Sequence, residues 1–193
     1  MQIGVTKEIK NHEYRVGLTP QGVAELVRHH HSILIERNAG AAIGFGDDRY
    51  VAAGAQIAAG ADEVFATADM IVKVKEPQPI ECKKLRPGQI LFTYLHLAPD
   101  PEQTRLLVES DAVAIAYETV TDERGGLPLL APMSEVAGRM SIQAGAHTLE
   151  KTQGGLGVLL SGVPGVPPAK VMVLGGGVVG ITRRASRSAW GRW

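Results

Sequence analysis

The sequence is poor in cysteine, in aromatic side chains and in long apolar runs. Its one cysteine, Cys82, cannot form a disulfide within the chain. The amino-terminal stretch MQIGVTKEIK lacks the charged and apolar segments of a secretory signal. The longest apolar stretches, such as QILF, suit strands and are too short to span a bilayer. These absences argue against a disulfide-rich secreted scaffold and an integral membrane protein, and they predict a cytoplasmic location.

The chain also has no excess charge of either sign, because 20 basic side chains balance 20 acidic ones. Proteins that bind nucleic acid or an anionic membrane surface normally carry a positive field. We therefore expect neither nucleic acid nor a membrane as a partner. The apolar share of the composition, 45%, is sufficient for the core of a globular domain.

Apolar stretches of strand length alternate with helical patterns along residues 1–120. Two of the predicted helices have clear starts, one at Thr19 as N-cap with Pro20 following, and one in DPEQTRLLVESD. Strands that alternate with helices predict an α/β fold, in which a mostly parallel sheet is flanked by helices in the Rossmann-like manner. The predicted strands are QIGVTKE, HSILIERN, ADMIVKVKEP, PGQILFTYLHL and AVAIAYETV.

A long helical pattern, SEVAGRMSIQAGAHTLEKTQ, follows these strands, with Ser134 as its expected N-cap. A stretch rich in Gly and Pro then leads to a further predicted strand, KVMVL, and a glycine turn. We predict a substrate domain over residues 1–133 and a connecting helix and linker over 134–169. Residues 170–193 would begin an incomplete Rossmann domain, with an aberrant tail over 181–193.

Three polar side chains stand at or near the ends of predicted strands, where parallel sheets gather functional groups. Arg15 follows the first strand, Lys75 closes MIVKVK, and His96 closes ILFTYL. A guanidinium and an ammonium suit a carboxylate, and an imidazole can exchange a proton near neutral pH. Together they predict a pocket for a small carboxylate whose neighbouring carbon reacts. The simpler alternatives are surface charges for Arg15 and Lys75 and a backbone-bonded core histidine for His96.

A glycine pattern, G-x-G-x-x-G, follows the predicted strand KVMVL at Gly175, Gly177 and Gly180. In that context the glycines allow a tight turn and the close approach of a dinucleotide pyrophosphate, although a plain strand-to-helix turn is the alternative. The histidine run at 29–31 lies on a helix end, where consecutive side chains diverge, so we predict no metal site there. We expect Cys82 to be structural.

Six stretches between residues 1 and 180 together carry a family resemblance: MQIGVTKEIKNHEYRVGLTP, KVKEP, GQILFTYLHLA, AYETV, LPLLAPMSEVAGRMSIQAGA and GGLGVLLSGVPGVPPAKVMVLGGGVVG. They resemble the alanine dehydrogenase family of NAD-dependent enzymes. The resemblance implies that L-alanine is interconverted with pyruvate and ammonia, that NAD is the cofactor, and that subunits assemble as oligomers, commonly hexamers. A more distant alternative is the soluble subunit of a nicotinamide nucleotide transhydrogenase, which needs no amino-acid pocket.

The same resemblance assigns roles to individual residues. It implies that Arg15 and Lys75 bind the substrate carboxylate and that His96 is the catalytic acid and base. It implies that Ser134 contacts the cofactor and that the glycines of the turn hold its pyrophosphate. The implied reaction transfers hydride from the alanine α-carbon to the nicotinamide, and water then attacks the resulting imine.

The resemblance breaks at the carboxyl end of the chain. A Rossmann turn leads into an apolar helix and a strand that ends in an acid about 20 positions beyond the glycines. ITRRASRSAWGRW has no apolar stripe and no acidic residue. Read one frame away with GC-rich codons, its last part would encode small apolar residues, so we hypothesise a frameshift.

The family also supplies a catalytic aspartate and a returning carboxyl-terminal segment from further along the chain. We therefore expect impaired or absent dehydrogenase activity. The alternative function is that of a non-catalytic fragment that binds small carboxylates or pairs with full-length subunits.

Overall fold

A computed structural model describes residues 1–182 of the chain. The chain divides into two compact units, Met1–Thr119 and Val120–Trp193. The first unit contains a six-stranded sheet, and the second contains the 18-residue helix Ala131–Thr148. Among residues 1–182, no helix combines the length and the apolar character that crossing a bilayer requires.

The first unit alternates strands with helices, as the sequence predicts. All six strands are parallel and lie in the order β3-β2-β1-β4-β5-β6. This arrangement confirms the predicted α/β class. The strands are β1 (Gln2–Val5), β2 (Ser32–Glu36), β3 (Gln56–Ala58), β4 (Met70–Val72), β5 (Ile90–Thr93) and β6 (Val113–Ala116), and the helices are α1 (Pro20–Arg28), α2 (Asp47–Ala52), α3 (Ala61–Thr67), α4 (Pro79–Cys82) and α5 (Pro101–Glu109).

Two of these strands differ from the sequence prediction. β3 is absent from the prediction because its sequence, QIA, is three residues long and too short to show a period. The predicted strand ADMIVKVKEP forms a ladder only at Met70–Val72. After Val72, the Lys73 N–H still donates to the Phe92 carbonyl. The next two N–H groups, of Val74 and Lys75, donate instead to the Glu8 carboxylate, and there the ladder ends.

The predicted starts of α1 and α5 are confirmed. The Thr19 hydroxyl accepts a hydrogen bond from the Gly22 N–H at 3.2 Å, and Pro20 begins the helix. The Asp100 carboxylate accepts a hydrogen bond from the Gln103 N–H at 2.9 Å. Each cap satisfies an N–H that has no partner inside its helix.

The inner strands of the sheet bury apolar side chains on both faces, as strands covered by helices must, whereas Val113 and Ile115 of the edge strand β6 are exposed. Alternation along β2 sends Ile33 and Ile35 into one cluster, with Val23 of α1. It sends Leu34 into the other cluster, with Phe65 of α3. The core therefore consists of two layers separated by the sheet.

Gly4 in β1 is required by close packing. A Cβ built on Gly4 would lie 2.5 Å from Val64 Cγ1 and 2.8 Å from Ala68 Cβ. Helix α3 thus rests directly on the backbone of β1. The absence of a side chain at this one position sets the distance between the helix and the sheet.

In the second unit, helix α6 spans Ala131–Thr148 and begins before Ser134, so the prediction of Ser134 as N-cap is wrong. The Ser134 N–H already donates to the Leu130 carbonyl at 3.2 Å, which places Ser134 inside the first turn. Pro132 explains the earlier start, because its fixed φ suits a first turn in which its missing N–H costs nothing.

The strand predicted for KVMVL does not form. Among residues 120–182, the one β-type pairing is an isolated bridge between Val163 and Val166. A strand needs a neighbour to satisfy its N–H and C=O groups, and no described segment of this unit pairs with KVMVL. Met172 and Leu174 are accordingly 79% and 89% exposed. Residues 178–182 are helical, and the rest of the predicted tail, 183–193, lies outside the described residues.

Candidate active site

The strand order places a topological switch point at the carboxyl edge of the sheet. The chain moves outward from β1 through β2 to β3 and then crosses back to β4, so that connections leave β1 and β4 in opposite directions. Small-molecule sites of open parallel sheets lie at such switch points. Arg15 follows β1, Lys75 follows β4 and His96 follows β5, and these three strands are neighbours.

Arg15 is held by a two-pronged ion pair with Glu13. Its Nε and Nη2 donate to the two oxygens of the Glu13 carboxylate at 2.8 and 2.6 Å. The bonds from Arg15 lower the pKa of Glu13, against the opposing effect of burial, and the Lys75 charge lowers it further. The planar fork of Arg15 is therefore fixed in orientation, and Lys75 lies close enough to act on the same carboxylate.

Lys75 lies beyond the end of β4, and its backbone is bound on both sides. Its N–H donates to Oε1 of Glu8 at 3.3 Å, and its carbonyl accepts from the Thr93 hydroxyl at 2.9 Å. Its ammonium lies 3.9 Å from Oε2 of Glu76, whose other oxygen binds Lys10. The Lys75 side chain is 30% exposed, so that it can reach a ligand from solvent.

A buried ionic cluster lies beneath Lys75 and was missed by sequence reasoning. The Lys73 ammonium, fully buried, is 2.7 Å from Glu81 Oε1 and 3.3 Å from both Glu8 Oε2 and the Thr6 hydroxyl. A lysine within the apolar run IVKV was the available signal. A charge inside a sheet covered on both faces must find partners of opposite sign.

His96 adopts an unusual backbone conformation, with φ of +47°. Its N–H donates to Oε1 of Glu118 at 2.7 Å, and the Leu95 N–H donates to the same oxygen at 3.1 Å. Burial alone would raise the pKa of Glu118, but these backbone N–H groups lower it below its usual value. Glu118, which follows β6, was also missed by sequence reasoning.

Aromatic rings line the same edge. The Tyr94 ring stacks on the His96 imidazole, with centroids 5.9 Å apart and planes 12° apart, and Tyr117 meets Tyr94 edge-on at 4.9 Å. Burial raises the pKa of Tyr94, and the positive charge of Arg15 opposes that rise. Tyr94 therefore stacks on the His96 imidazole and lies within electrostatic reach of the Arg15 guanidinium. Its place in an apolar strand gave no signal beyond that of a core aromatic.

The second unit brings together the four residues predicted to hold the cofactor. Ser134, Gly175, Gly177 and Gly180 line one cavity of about 320 Å³. A Cβ on Gly180 would overlap the Gly175 carbonyl, so the turn itself requires that glycine. A Cβ on Gly177 would meet nothing within 4 Å. Packing within the described residues therefore does not require a glycine at position 177.

No group of three or more His, Cys, Asp or Glu side chains suited to a metal ion occurs among residues 1–182. Cys82 is buried, and its thiol donates to the Pro77 carbonyl at 3.6 Å. Burial raises the pKa of the Cys82 thiol to about 11. Both observations describe a packed, protonated thiol.

The parallel sheet, the polar side chains at its switch point and the glycine turn define a Rossmann-like α/β protein. Comparison with known families makes this more specific. The sequence model of one family, the alanine dehydrogenase/PNT N-terminal domain, matches residues 4–137. The sequence model of the corresponding C-terminal domain matches residues 141–190. The chain belongs to the alanine dehydrogenase/PNT family.

Individual relatives agree with this assignment. An alanine dehydrogenase from Halomonas elongata is 57% identical over 191 residues, which are 99% of this chain and 51% of that protein. A solved L-alanine dehydrogenase is 52% identical with a TM-score of 0.90, over 98% of this chain and 52% of that one. The chain thus spans about half the length of the relatives it matches.

A solved transhydrogenase from Sinorhizobium meliloti is 23% identical, with a TM-score of 0.81 over 99% of this chain and 57% of that one. At that identity it shows a shared fold alone. The boundaries that we predict at residues 133 and 169, and the roles of the individual site residues, stay predictions.

Proposed function

We propose that this chain carries the substrate-binding part of a cytoplasmic, NAD-dependent alanine dehydrogenase, which converts L-alanine to pyruvate and ammonia. The observation that carries the proposal is the placement of Arg15, Lys75 and His96 after the ends of three neighbouring strands. Glu13 orients the Arg15 guanidinium, and the Tyr94 ring stacks on the His96 imidazole. Relatives named alanine dehydrogenase, 57% and 58% identical to this chain, support it.

In this proposal Arg15 and Lys75 hold the substrate carboxylate. Glu13 fixes the plane of the guanidinium, which donates hydrogen bonds along its edge, and the Lys75 ammonium adds a point charge. A carboxylate held at two points has one orientation, so the α-carbon is presented in a defined direction. Orientation of this kind supplies much of the rate of a two-substrate reaction.

His96 exchanges the proton in the same proposal. Loss of hydride from the α-carbon leaves an imine, water adds to its carbon, and ammonia then leaves to give pyruvate. The His96 imidazole takes the proton from the attacking water and returns it to the departing nitrogen. The stacked Tyr94 ring keeps the imidazole in one plane while the proton moves.

The cofactor residues lie in the second unit. Ser134 and the three glycines would hold NAD, with the pyrophosphate beside Gly177. NAD, when bound, supplies the acceptor for the hydride. An oligomeric assembly is part of the same proposal, and light scattering on the purified chain tests it.

The proposal is tested by calorimetric titration of the 193-residue chain with pyruvate, and separately with NADH. We expect pyruvate to bind, and we expect Arg15→Met and Lys75→Met each to weaken its binding at least about tenfold, because each removes a charge-assisted bond. Arg105→Met and Lys84→Met are the matched controls. Arg105, like Arg15, pairs with a carboxylate. The Lys84 side chain is 29% exposed, nearly the same exposed fraction as that of Lys75.

Alanine-dependent reduction of NAD, measured on the same samples, separates the two candidate functions. Turnover that is lost in His96→Ala supports the dehydrogenase. Pyruvate binding without turnover supports the non-catalytic carboxylate-binding chain. Failure of pyruvate to bind, or equal losses in the control variants, would contradict the proposed pocket.

A further inference from the structure

Glu8 and Glu118 each accept hydrogen bonds from two backbone N–H groups that follow a neighbouring strand, β4 for Glu8 and β5 for Glu118. Oε1 of Glu8, after β1, accepts the N–H groups of Val74 and Lys75 at 2.6 and 3.3 Å. Oε1 of Glu118, after β6, accepts the N–H groups of Leu95 and His96 at 3.1 and 2.7 Å. In both cases one carboxylate oxygen accepts two successive amides, and the second amide belongs to a candidate functional residue. The Leu95 N–H also lies 3.2 Å from Oε2 of Glu118.

We propose that Glu8 and Glu118 are positioning residues, each of which fixes a functional side chain by accepting the two backbone N–H groups at the end of a neighbouring strand. The inference rests on the proposed function, because Lys75 and His96 have their roles from it. It adds that the direction of each side chain is set by a carboxylate that need not touch the substrate.

The conformation of His96 shows what Glu118 has to hold. A φ of +47° lies in the left-handed region, which is unfavourable for residues with a side chain and persists when surrounding contacts enforce it. The N–H groups of Leu95 and His96, which both donate to the Glu118 carboxylate, supply such enforcement. The backbone turns at His96, and its imidazole is thereby placed against Tyr94 rather than along the strand.

Lys75 is held even more completely. The Glu8 carboxylate accepts its N–H, and the Thr93 hydroxyl donates to its carbonyl at 2.9 Å. The backbone of Lys75 is thus hydrogen-bonded on both sides, by one side chain that follows β1 and one at the end of β5. Glu8 is itself fixed through its second oxygen, 3.3 Å from the buried ammonium of Lys73. The ionic cluster with Glu81 thus acts on Lys75 through Glu8.

The test uses the 193-residue chain and begins with Glu118, because Glu118 is half-buried and its loss threatens the fold less than that of buried Glu8. Amide exchange followed by NMR should rise at least about tenfold at Leu95 and His96 in Glu118→Ala, since the charge-assisted bonds are gone. Glu118→Gln should restore protection, because one amide oxygen can accept both N–H groups. Asp69→Ala is the matched control, since Asp69 binds the Gln2 N–H at 2.7 Å where β1 begins.

Pyruvate affinity gives the functional readout. We expect Glu118→Ala to weaken binding or to abolish NAD reduction, Glu118→Gln to restore it, and Asp69→Ala to leave it unchanged at comparable thermal stability. Glu8→Gln should keep the Lys75 amide protected, while Glu8→Ala should lose both protection and pyruvate affinity. Exchange that is unchanged in Glu118→Ala, or faster exchange with unaltered ligand binding and turnover, overturns the inference.

If the wild-type chain binds no pyruvate and shows no turnover, the proposed function fails and the positioning is judged by the His96 ring alone. Stacking on Tyr94 shifts the imidazole Cε1 proton through the ring current. That resonance should move in Glu118→Ala and stay in place in Glu118→Gln and Asp69→Ala. An unmoved resonance in Glu118→Ala overturns the inference without reference to any ligand.

Discussion

The Lys73 ammonium and the Glu81 carboxylate lie 2.7 Å apart with both side chains almost completely buried. Glu81 also caps α4, where its second oxygen accepts the Gln78 N–H at 2.8 Å. The pair therefore joins the end of β4 to the start of α4. Removing one member leaves a buried charge without its partner, which is far more costly than losing an exposed pair.

Lys73→Met keeps the length of the side chain and removes its charge, leaving the Glu8 and Glu81 carboxylates facing each other. We expect the free energy of unfolding to fall by about 3–5 kcal/mol. Lys84→Met, which breaks the exposed pair with Asp62, should cost at most about 1 kcal/mol. Urea denaturation of both variants measures the difference. Equal losses would show that the buried cluster does not hold the sheet together.

Alanine substitution at two glycines, Gly4 and Gly22, should change the free energy of unfolding in opposite directions. Gly4→Ala forces a Cβ against Val64 and should destabilise the first unit by about 1–3 kcal/mol. Gly22→Ala, in α1, has only ordinary contacts from 3.6 Å outward and should stabilise by about 0.5–1 kcal/mol, since alanine favours helix. Thermal unfolding of the two variants decides the matter, and a shift of the same sign in both would contradict it.

The lowered pKa of Glu13 makes the Arg15 pair pH-dependent. Because the folded pKa of Glu13 lies below the ordinary glutamate value of 4.5, the carboxylate stabilises the fold above that pH. Its contribution is lost as the pH falls through the folded pKa. We expect carbon-detected NMR titration to show the Glu13 pKa rising in Arg15→Met. Arg105→Met should leave it unchanged, and a Glu13 pKa that does not move in Arg15→Met would contradict the assignment.

Burial raises the pKa of Cys82 to about 11, so its thiol should resist alkylation at pH 8 while the chain is folded. Iodoacetamide should label Cys82 only as fast as the first unit opens, and labelling should reach the rate of a free thiol in denaturant. Since Cys82 is the single cysteine of the chain, no control for other thiols is needed. Rapid labelling under native conditions would show that α4 is not packed on the sheet.

Sequence reasoning found the sheet because apolar runs and helix caps are local signals, as at Thr19 and Asp100. It also placed Arg15, Lys75 and His96 at one edge, since parallel strands all end on the same side. The glutamates that support Lys75 and His96 could not be predicted from the sequence, for a physical reason. Glu8 and Glu118 act through backbone amides that are 66 and 22 residues away in sequence, and only the folded sheet brings them there.

The two errors in the second unit have a different origin. Ser134 is a good N-cap in isolation, yet Pro132 starts α6 one turn earlier, because proline is tolerated in the first turn of a helix. KVMVL has the apolar β-branched composition of a strand but lacks a partner among the described residues of its unit. Strand formation depends on neighbours that composition alone does not reveal.

The glycine turn separates a structural from a ligand-binding requirement, and it gives the last prediction. Gly176 and Gly177 both have open space where a Cβ would lie, but only Gly177 belongs to G-x-G-x-x-G. Gly177→Ala should leave thermal stability unchanged. In the proposed function the added methyl group would take the place of the NAD pyrophosphate, so we expect NADH binding to weaken at least about tenfold. Gly176→Ala should change neither. Gly180→Ala should disturb the turn itself, since its Cβ would overlap the Gly175 carbonyl, and so lower stability and affinity together. Calorimetric titration with NADH, together with thermal unfolding, distinguishes the three variants. Equal NADH affinities for Gly176→Ala and Gly177→Ala would contradict the proposal that this turn binds the pyrophosphate.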